Sequence, residues 1–254
     1  MLNIIAKNPT GTSLNLQSDS RYQLVSATGL NPPVATINTS EMATADGSVF
    51  NMARMPQRNI VLTIQPLYSI ESARDNLYKW FAPKQAVNLT IVTNSRNMKI
   101  DGYVESFECD MFANPEMVQV SIICPDPYLK GAAVDNVILP ASINNPGDAP
   151  SGAVFEIQFT GSATALTITD LILGVSHSFV MEDLEVQSGD IITIDTRVGH
   201  KSVTLKRGLT ITSLMANVDL TSEWIRLAPG ANSLSIIASN GSAKVSYVPL
   251  FMGV

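Results

Sequence analysis

Apolar and polar residues alternate in short runs through most of the chain. This period of two turns one face of a β-strand into a core and the other into water. The clearest run lies within 118–129: Val118, Val120, Ile122 and Cys124 share one face, Gln119 and Ser121 the other. Pro125 and Pro127 follow. Each lacks a backbone N–H and fixes its own φ, so the strand must end at Cys124 or lie at an edge. That stop predicts the last strand of one domain, with domains over 1–130 and 131–254.

In the first domain, 2–5, 13–16, 22–27 and 35–37 are short strand candidates set off by Gly, Pro, Asn and Asp. Residues 58–66 alternate again, with Ile60, Leu62 and Ile64 on one side. A helical period appears over 70–82, where Ile70, Ala73, Leu77, Trp80 and Phe81 fall on one face. Ser69 is placed to cap its start, Glu71 suits the positive end of the dipole, and Pro83 stops it. Residues 87–91 and 98–107 are further strands. Gly102 inside the second implies a bulge or a close backbone approach, after which Tyr103, Phe107 and Cys109 take over the inner face.

Between 39 and 57 neither period holds. So long a stretch is uncommon in a compact domain. Met42, Val49, Phe50, Met52 and Met55 punctuate it, and Asp46-Gly47 suits a tight turn at its tip. One reading is a floppy surface loop. The sharper one is an arm whose apolar residues are covered by a neighbouring molecule, since exposed apolar patches need a reason. The expected interface residues are Met42, Val49, Phe50, Met52, Met55 and Arg58.

The second domain opens on a turn-rich stretch, 144–152. Strand candidates follow at 155–159, 166–169, 177–180, 191–195, 202–206, 224–227, 234–238 and 243–248, with no helical run between them. This predicts a sandwich. Asn240-Gly241 tolerates positive φ and so predicts a two-residue hairpin turn. It would set Ala238 opposite Ala243, Ile236 opposite Val245 and Leu234 opposite Tyr247.

The chain has 254 residues, enough for two domains. Only 15% are charged, against roughly 25% in typical soluble domains, so large interfaces with copies of itself are expected. A net charge of −6 opposes a reader of nucleic-acid sequence, which needs a basic face. No apolar run approaches the length of a membrane span, and the N-terminus lacks the features of a signal peptide. The chain is thus expected to stay in the cytosol where it is made, unless something larger carries it out. Cys109 and Cys124 fall on strands and are expected as buried thiols.

The chemistry-bearing patterns are absent: no Gly-x-Ser-x-Gly, no His-Glu-x-x-His, no phosphate loop and no dinucleotide fingerprint. His177 and His200 both lie in the second domain, His200 in a turn after Gly199. Two His and two Cys so placed do not compose a zinc site. Glu182, Asp183, Glu185, Asp190 and Asp195 cluster, and paired carboxylates hydrolyse glycosides. However, Gln187-Ser188-Gly189-Asp190 reads as a turn into a strand, so most of these acids are expected to solvate a loop. No catalytic, cofactor-binding or metal-ligating residue is expected.

Several stretches together resemble the distal tail proteins of long non-contractile-tailed phages, especially those of Gram-positive hosts. They are Arg58-Asn59-Ile60-Val61-Leu62, Leu77-Tyr78-Lys79-Trp80-Phe81, Asp101-Gly102-Tyr103-Val104-Glu105-Ser106 and Ser121-Ile122-Ile123-Cys124-Pro125-Asp126-Pro127-Tyr128. The second half adds Ser188-Gly189-Asp190-Ile191-Ile192-Thr193-Ile194-Asp195-Thr196 and Trp224-Ile225-Arg226-Leu227-Ala228-Pro229-Gly230-Ala231-Asn232. The resemblance implies an all-β chain: an N-terminal tail-tube-like β-barrel or sandwich with one helix and a long hairpin arm, then a C-terminal galectin-like β-sandwich. It implies a homohexameric ring at the tail tip, with a central channel for DNA. The implied partners are the tail tube, a tail-tip lysin or spike, and receptor-binding or baseplate proteins on the outer domain. Larger family members carry inserted carbohydrate-binding modules, for which this chain has no room. Two rivals to the structural reading are a carbohydrate-binding adhesin, with Trp224 as its best aromatic, and a cell-wall glycosidase.

Overall fold

The computed structural model describes residues 2–254. The chain forms two compact units. The first runs up to Lys130 and also takes in Phe251–Val254; the second is Gly131–Leu250. The expected second domain, 131–254, is thus shorter by the last four residues. The backbone N–H of Val254 donates to the Leu30 carbonyl, and Gly253 lies against Pro32, both in the first unit.

The first unit contains β1 (Asn3–Lys7), β2 (Ser13–Asn15), β3 (Tyr22–Thr28), β4 (Thr36–Glu41), β5 (Ser48–Arg54) and β6 (Arg58–Pro66). After α1 (Ile70–Tyr78) come β7 (Ala86–Val92), β8 (Asn97–Cys109), β9 (Val118–Cys124) and β10 (Leu129–Lys130). Its main sheet is antiparallel in the order β2-β1-β7-β8-β9-β6-β3, with β10 beside β8; β4 and β5 form a separate two-stranded sheet. β9 stops at Cys124 as the prolines require, yet it is central, between β8 and β6. Val118, Val120, Ile122 and Cys124 are all buried. Ser121, on the other face, donates to Glu105 Oε2 at 2.8 Å, or to Asn59 Oδ1 at 3.0 Å.

The helix is shorter than expected and starts differently. Ser69 has a left-handed backbone (φ 47°), and its hydroxyl makes no capping bond. Ala73 and Leu77 are buried, Phe81 is buried just beyond the helix, Trp80 is half-buried, and Ile70 is exposed. The helix is anchored instead by the Tyr22 hydroxyl, which donates to the Ala73 carbonyl at 3.1 Å and accepts from Asn76 at 3.0 Å.

Gly102 marks a close approach. A Cβ there would lie 2.7 Å from Ile122 Cγ2 and 2.9 Å from Cys124 Sγ. The bulge comes later, between Val104 and Ser106. It shifts the inner face from even to odd positions, so Phe107 and Cys109 pack on the core while Tyr103 stays exposed.

The second unit contains β11 (Val134–Ile138), β12 (Ala141–Asn145), β13 (Ser151–Phe159), β14 (Leu166–Ile172), β15 (Val175–Met181) and β16 (Ile191–Asp195). β17 (Ser202–Arg207), β18 (Thr210–Ser213), β19 (Arg226–Leu227), β20 (Gly230–Ala238) and β21 (Gly241–Tyr247) complete it. One sheet runs β11-β21-β13-β16-β17-β18, with β19 beside β13; the other runs β12-β20-β14-β15. Phe155, Ile157 and Ile194 from the first, with Leu166, Ile168, Phe179 and Leu234 from the second, make one core. The unit is a β-sandwich.

The Asn240-Gly241 turn does not close a hairpin. β20 pairs with β12 and β14, whereas β21 pairs with β11 and β13. The turn is an arch from one sheet to the other. Leu234, Ala243, Val245 and Tyr247 are buried as the alternation requires, but they face one another across the core rather than along a ladder. Asn240 has positive φ (54°), and a Cβ on residue 241 would lie 2.9 Å from the Ala238 Cβ, so glycine is needed for close packing.

Candidate functional site

Residues 39–57 show no period because they are not half-buried. β4 and β5 make a hairpin from Thr36↔Arg54 to Glu41↔Ser48, with a register shift between Asn38 and Thr39. Every residue of both strands is exposed, and none joins either core. The hairpin starts earlier than expected, and its tip is the loop 42–47, so Asp46-Gly47 does not form a two-residue turn.

Pairing places Ile37, Ala53 and Phe50 on one face of this hairpin, and Met52 and Val49 on the other. Phe50 is 62% and Met52 55% exposed. Met42 and Val49 are also exposed, and Met55 is half-buried. Ile37, missed in the sequence, belongs with them; its signal was the short strand candidate at 35–37, set apart from the arm. An isolated hairpin is marginal in water, and apolar residues on both its faces leave it without a core.

Arg58 does not belong to this surface. It is 2% exposed. Its guanidinium donates to four carbonyl oxygens: Pro127 at 2.8 Å, Gly29 at 2.9 Å, Asn31 at 3.1 Å and Met252 at 2.5 Å. It ties the segment before the arm, the proline stop after β9 and the C-terminal residues to the first residue of β6. Burial pulls its pKa below the ordinary arginine value, countered in part by Cys124.

The acidic cluster of the second unit is mostly turn architecture. Asp190 accepts from Arg207 Nε at 3.0 Å and Nη2 at 2.7 Å, and from the Gln187 N–H at 2.8 Å. Asp195 and Arg197 pair at 2.6 Å. Glu182, Asp183 and His200 are exposed. The Arg207 guanidinium holds the Asp190 carboxyl below the usual carboxylate range, against the upward push of burial. Stability from Asp190 is therefore complete above the unfolded value near about pH 4, and is lost as pH falls through the lower folded value. Urea midpoints of the wild type and Asp190→Asn should differ at neutral pH and draw together as pH falls below about 4; a gap that does not shrink along that acid limb would contradict this.

Cys109 donates its S–H to Glu116 at 3.1 Å, and Cys124 is buried. Desolvation pushes both thiols up to about 11, with the Glu116 hydrogen bond adding to it at Cys109. Among the described residues, no group of three or more His, Cys, Asp or Glu is placed to hold a metal ion, and no helix is long and apolar enough to cross a membrane. Trp224 is half-buried, packed edge-on against Phe179 at 5.2 Å with Lys201 over its ring. It is not an open platform for a sugar.

Residues 146–251 match the model of a family described as siphovirus-type tail component, C-terminal domain. The solved structure of the SPP1 Dit protein (gp 19.1), described as a paradigm of the hub adsorption apparatus in phages infecting Gram-positive bacteria, overlays 99% of this chain and 99% of its own. The TM-score is 0.69 at 16% identity. Residues 146–251 thus match the C-terminal domain of siphovirus-type tail components. A chain of the phage P2 baseplate in its activated, calcium-bound conformation also aligns, over 97% of this chain and 98% of its own, with TM-score 0.50 and 12% identity. At these identities both likenesses are of fold. No curated protein matches the sequence. The family match covers the sandwich alone, so the arm lies outside the matched residues.

Proposed function

We propose that the chain is the ring-forming hub of a siphophage tail tip. Six copies close into a ring, each arm lying on the neighbouring copy. The first unit continues the tail tube around a channel for DNA, and meets the tail-tip lysin or spike. The second unit, a sandwich of galectin-like type, carries receptor-binding or other baseplate proteins. The role is structural, and the chain is made in the host cytoplasm before it joins the virion.

The arm carries this reading: a hairpin with Ile37, Phe50, Met52 and Val49 exposed and no contact to its own core. Such a surface is covered in the working state of a protein. The low charge fraction suits a chain with several faces to bury. A surplus of acidic residues suits a conduit that must not grip DNA. The relatives described as a hub and as a baseplate share the fold over nearly the whole chain. Direct saccharide binding finds no support at Trp224, and a wall hydrolase finds none in the paired acids of the turns.

Native mass spectrometry of the purified protein tests the proposal. The expected species is six times the 27.3 kDa of the chain. A monomer persisting at high concentration, with the arm protected from proteases, would overturn it.

A further inference from the structure

Leu173 and Gly174 join β14 to β15, with Ile172 and Val175 paired across the turn. Both turn residues have positive φ, 49° and 84°. A two-residue turn of this kind favours Asn-Gly, because asparagine tolerates a left-handed backbone better than an aliphatic residue does. Among the described residues, the other non-glycine positions with positive φ are Ser69, Lys84, Asn136, Asp183 and Asn240, all polar; Leu173 alone is apolar. It is also 99% exposed. Its side chain thus gains nothing from its own chain, in a conformation that costs it energy. Strain of this sort clusters at sites that make contacts with ligands or partners. Leu171 and Val175, both exposed, flank the tip on opposite faces of the hairpin. An end that is apolar at its tip and on both faces is shaped to be inserted rather than laid flat.

The tip leads into a face without charge. Pairing sets Ser142, Ser233, Leu171 and Ser176 in one row across β12, β20, β14 and β15. No outward-facing residue of these four strands is charged. The other sheet of the sandwich carries Glu156, Lys244 and Lys206 on its outer face. A charged surface set against the first face would lose water and gain no counter-ion. The face therefore fits a partner as uncharged as itself. A second copy of this chain is a poor socket for the tip. One of its cavities is lined by Arg21, Glu71, Asp75 and Lys79, another by Asp170, Glu223, Trp224 and Arg226. A leucine in either would strip water from charged groups.

We propose that the β14–β15 tip docks a different protein of the tail tip, Leu173 entering an apolar pocket of that partner while the uncharged sheet face lies along the pocket's uncharged rim. The short Ser and Thr side chains of the face admit close approach, and their hydroxyls both donate and accept, so they meet either kind of polar group. This inference rests on the reading of the second unit as the carrier of other proteins, and names the contact. The two fail separately, because ring closure is read by native mass and docking by cross-linking.

The test places p-benzoylphenylalanine at position 173, at 235 on the same face, or at 244 on the opposite sheet, in virions assembled in the host. Irradiation should join positions 173 and 235 to one virion polypeptide other than this chain, at an apolar and uncharged stretch, and leave 244 unjoined. Leu173→Asp should lower the amount of that polypeptide per ring about tenfold or more, the loss expected of a hot spot. Leu173→Asn, which restores the favoured turn, should release the polypeptide too, yet raise the thermal midpoint of the purified chain by about 2–4 °C. Four results would overturn the proposal: no joining at 173, joining there only to a second copy or to lipid, a full complement of the polypeptide on Leu173→Asp rings, or a midpoint that falls in Leu173→Asn.

Discussion

Replacing residues 37–53 with a Gly-Ser turn should convert a sixfold particle into a monomer, lighter than the 27.3 kDa of the full chain, while moving the thermal midpoint by no more than about 2 °C. Thr36 and Arg54 are paired across the base of the arm, so a short loop can join them without disturbing the sheet. Nothing in either core loses a neighbour, because no arm residue belongs to one. The stability of the monomer is then untouched, and the whole effect falls on association. Phe50→Asp with Met52→Asp should act likewise, since both side chains are exposed in the single chain and a charge there costs little until a partner covers it. Hexamers that survive both changes would show that the arm does not close the ring. A monomer that unfolds early would show that the arm packs on its own chain.

Arg58→Met should cost on the order of 4 kcal/mol of folding stability, read from urea unfolding. Four carbonyl oxygens from three separate stretches would lose their donor in a buried site. A methionine of similar length fills the space but satisfies none of them. Arg58→Lys should recover only part of the loss, because one ammonium cannot reach four acceptors with the geometry of a planar fork. A loss below about 1 kcal/mol in the Met variant would mean that water replaces the guanidinium without penalty. If both results hold, Arg58 and the arm are separable: one sets the stability of the first unit, the other its proposed assembly.

Arg58 also shows where sequence reasoning reaches its limit. A lone cation after an exposed, irregular stretch reads as surface, because charges are seldom buried. The node that holds it is built from Gly29, Asn31, Pro127 and Met252, distant in sequence, and backbone carbonyls have no sequence signature. Asp170 was also missed, because the expected strand ended at Thr169, although the residue had a signal. It stands at the third inward position of the run Leu166, Ile168, Asp170, where period two demands an apolar residue. A polar residue at such a position is a local conflict of the kind found at strained or functional sites. The cavity around it could not be read, because Glu223 and Trp224 come from a later segment.

The elements missed have more than one cause. β11 and β18 are largely exposed, and β12 alternates in burial but places the polar Asn145 at its last inward position. The helix cap failed because Ser69 takes a left-handed backbone set by the chain before it. The close approach at Gly102 was legible as one of two alternatives. Choosing between them required Ile122 and Cys124 in place.

By itself, the order of residues determined which side of each strand faces a core. The same alternation makes Val118, Val120 and Ile122 interior in β9 and Ala243, Val245 and Tyr247 interior in β21. It also marked the arm, as the stretch where both periods lapse while apolar residues persist. Only the tertiary structure decided which strands lie side by side. Asn240-Gly241 permits a hairpin or an arch equally, and the arch prevails because β12 and β14 flank β20 while β11 and β13 flank β21. Facing is a local property of side chains two residues apart. Pairing is a contest among distant segments for the same backbone hydrogen bonds, and its outcome depends on the whole packed core.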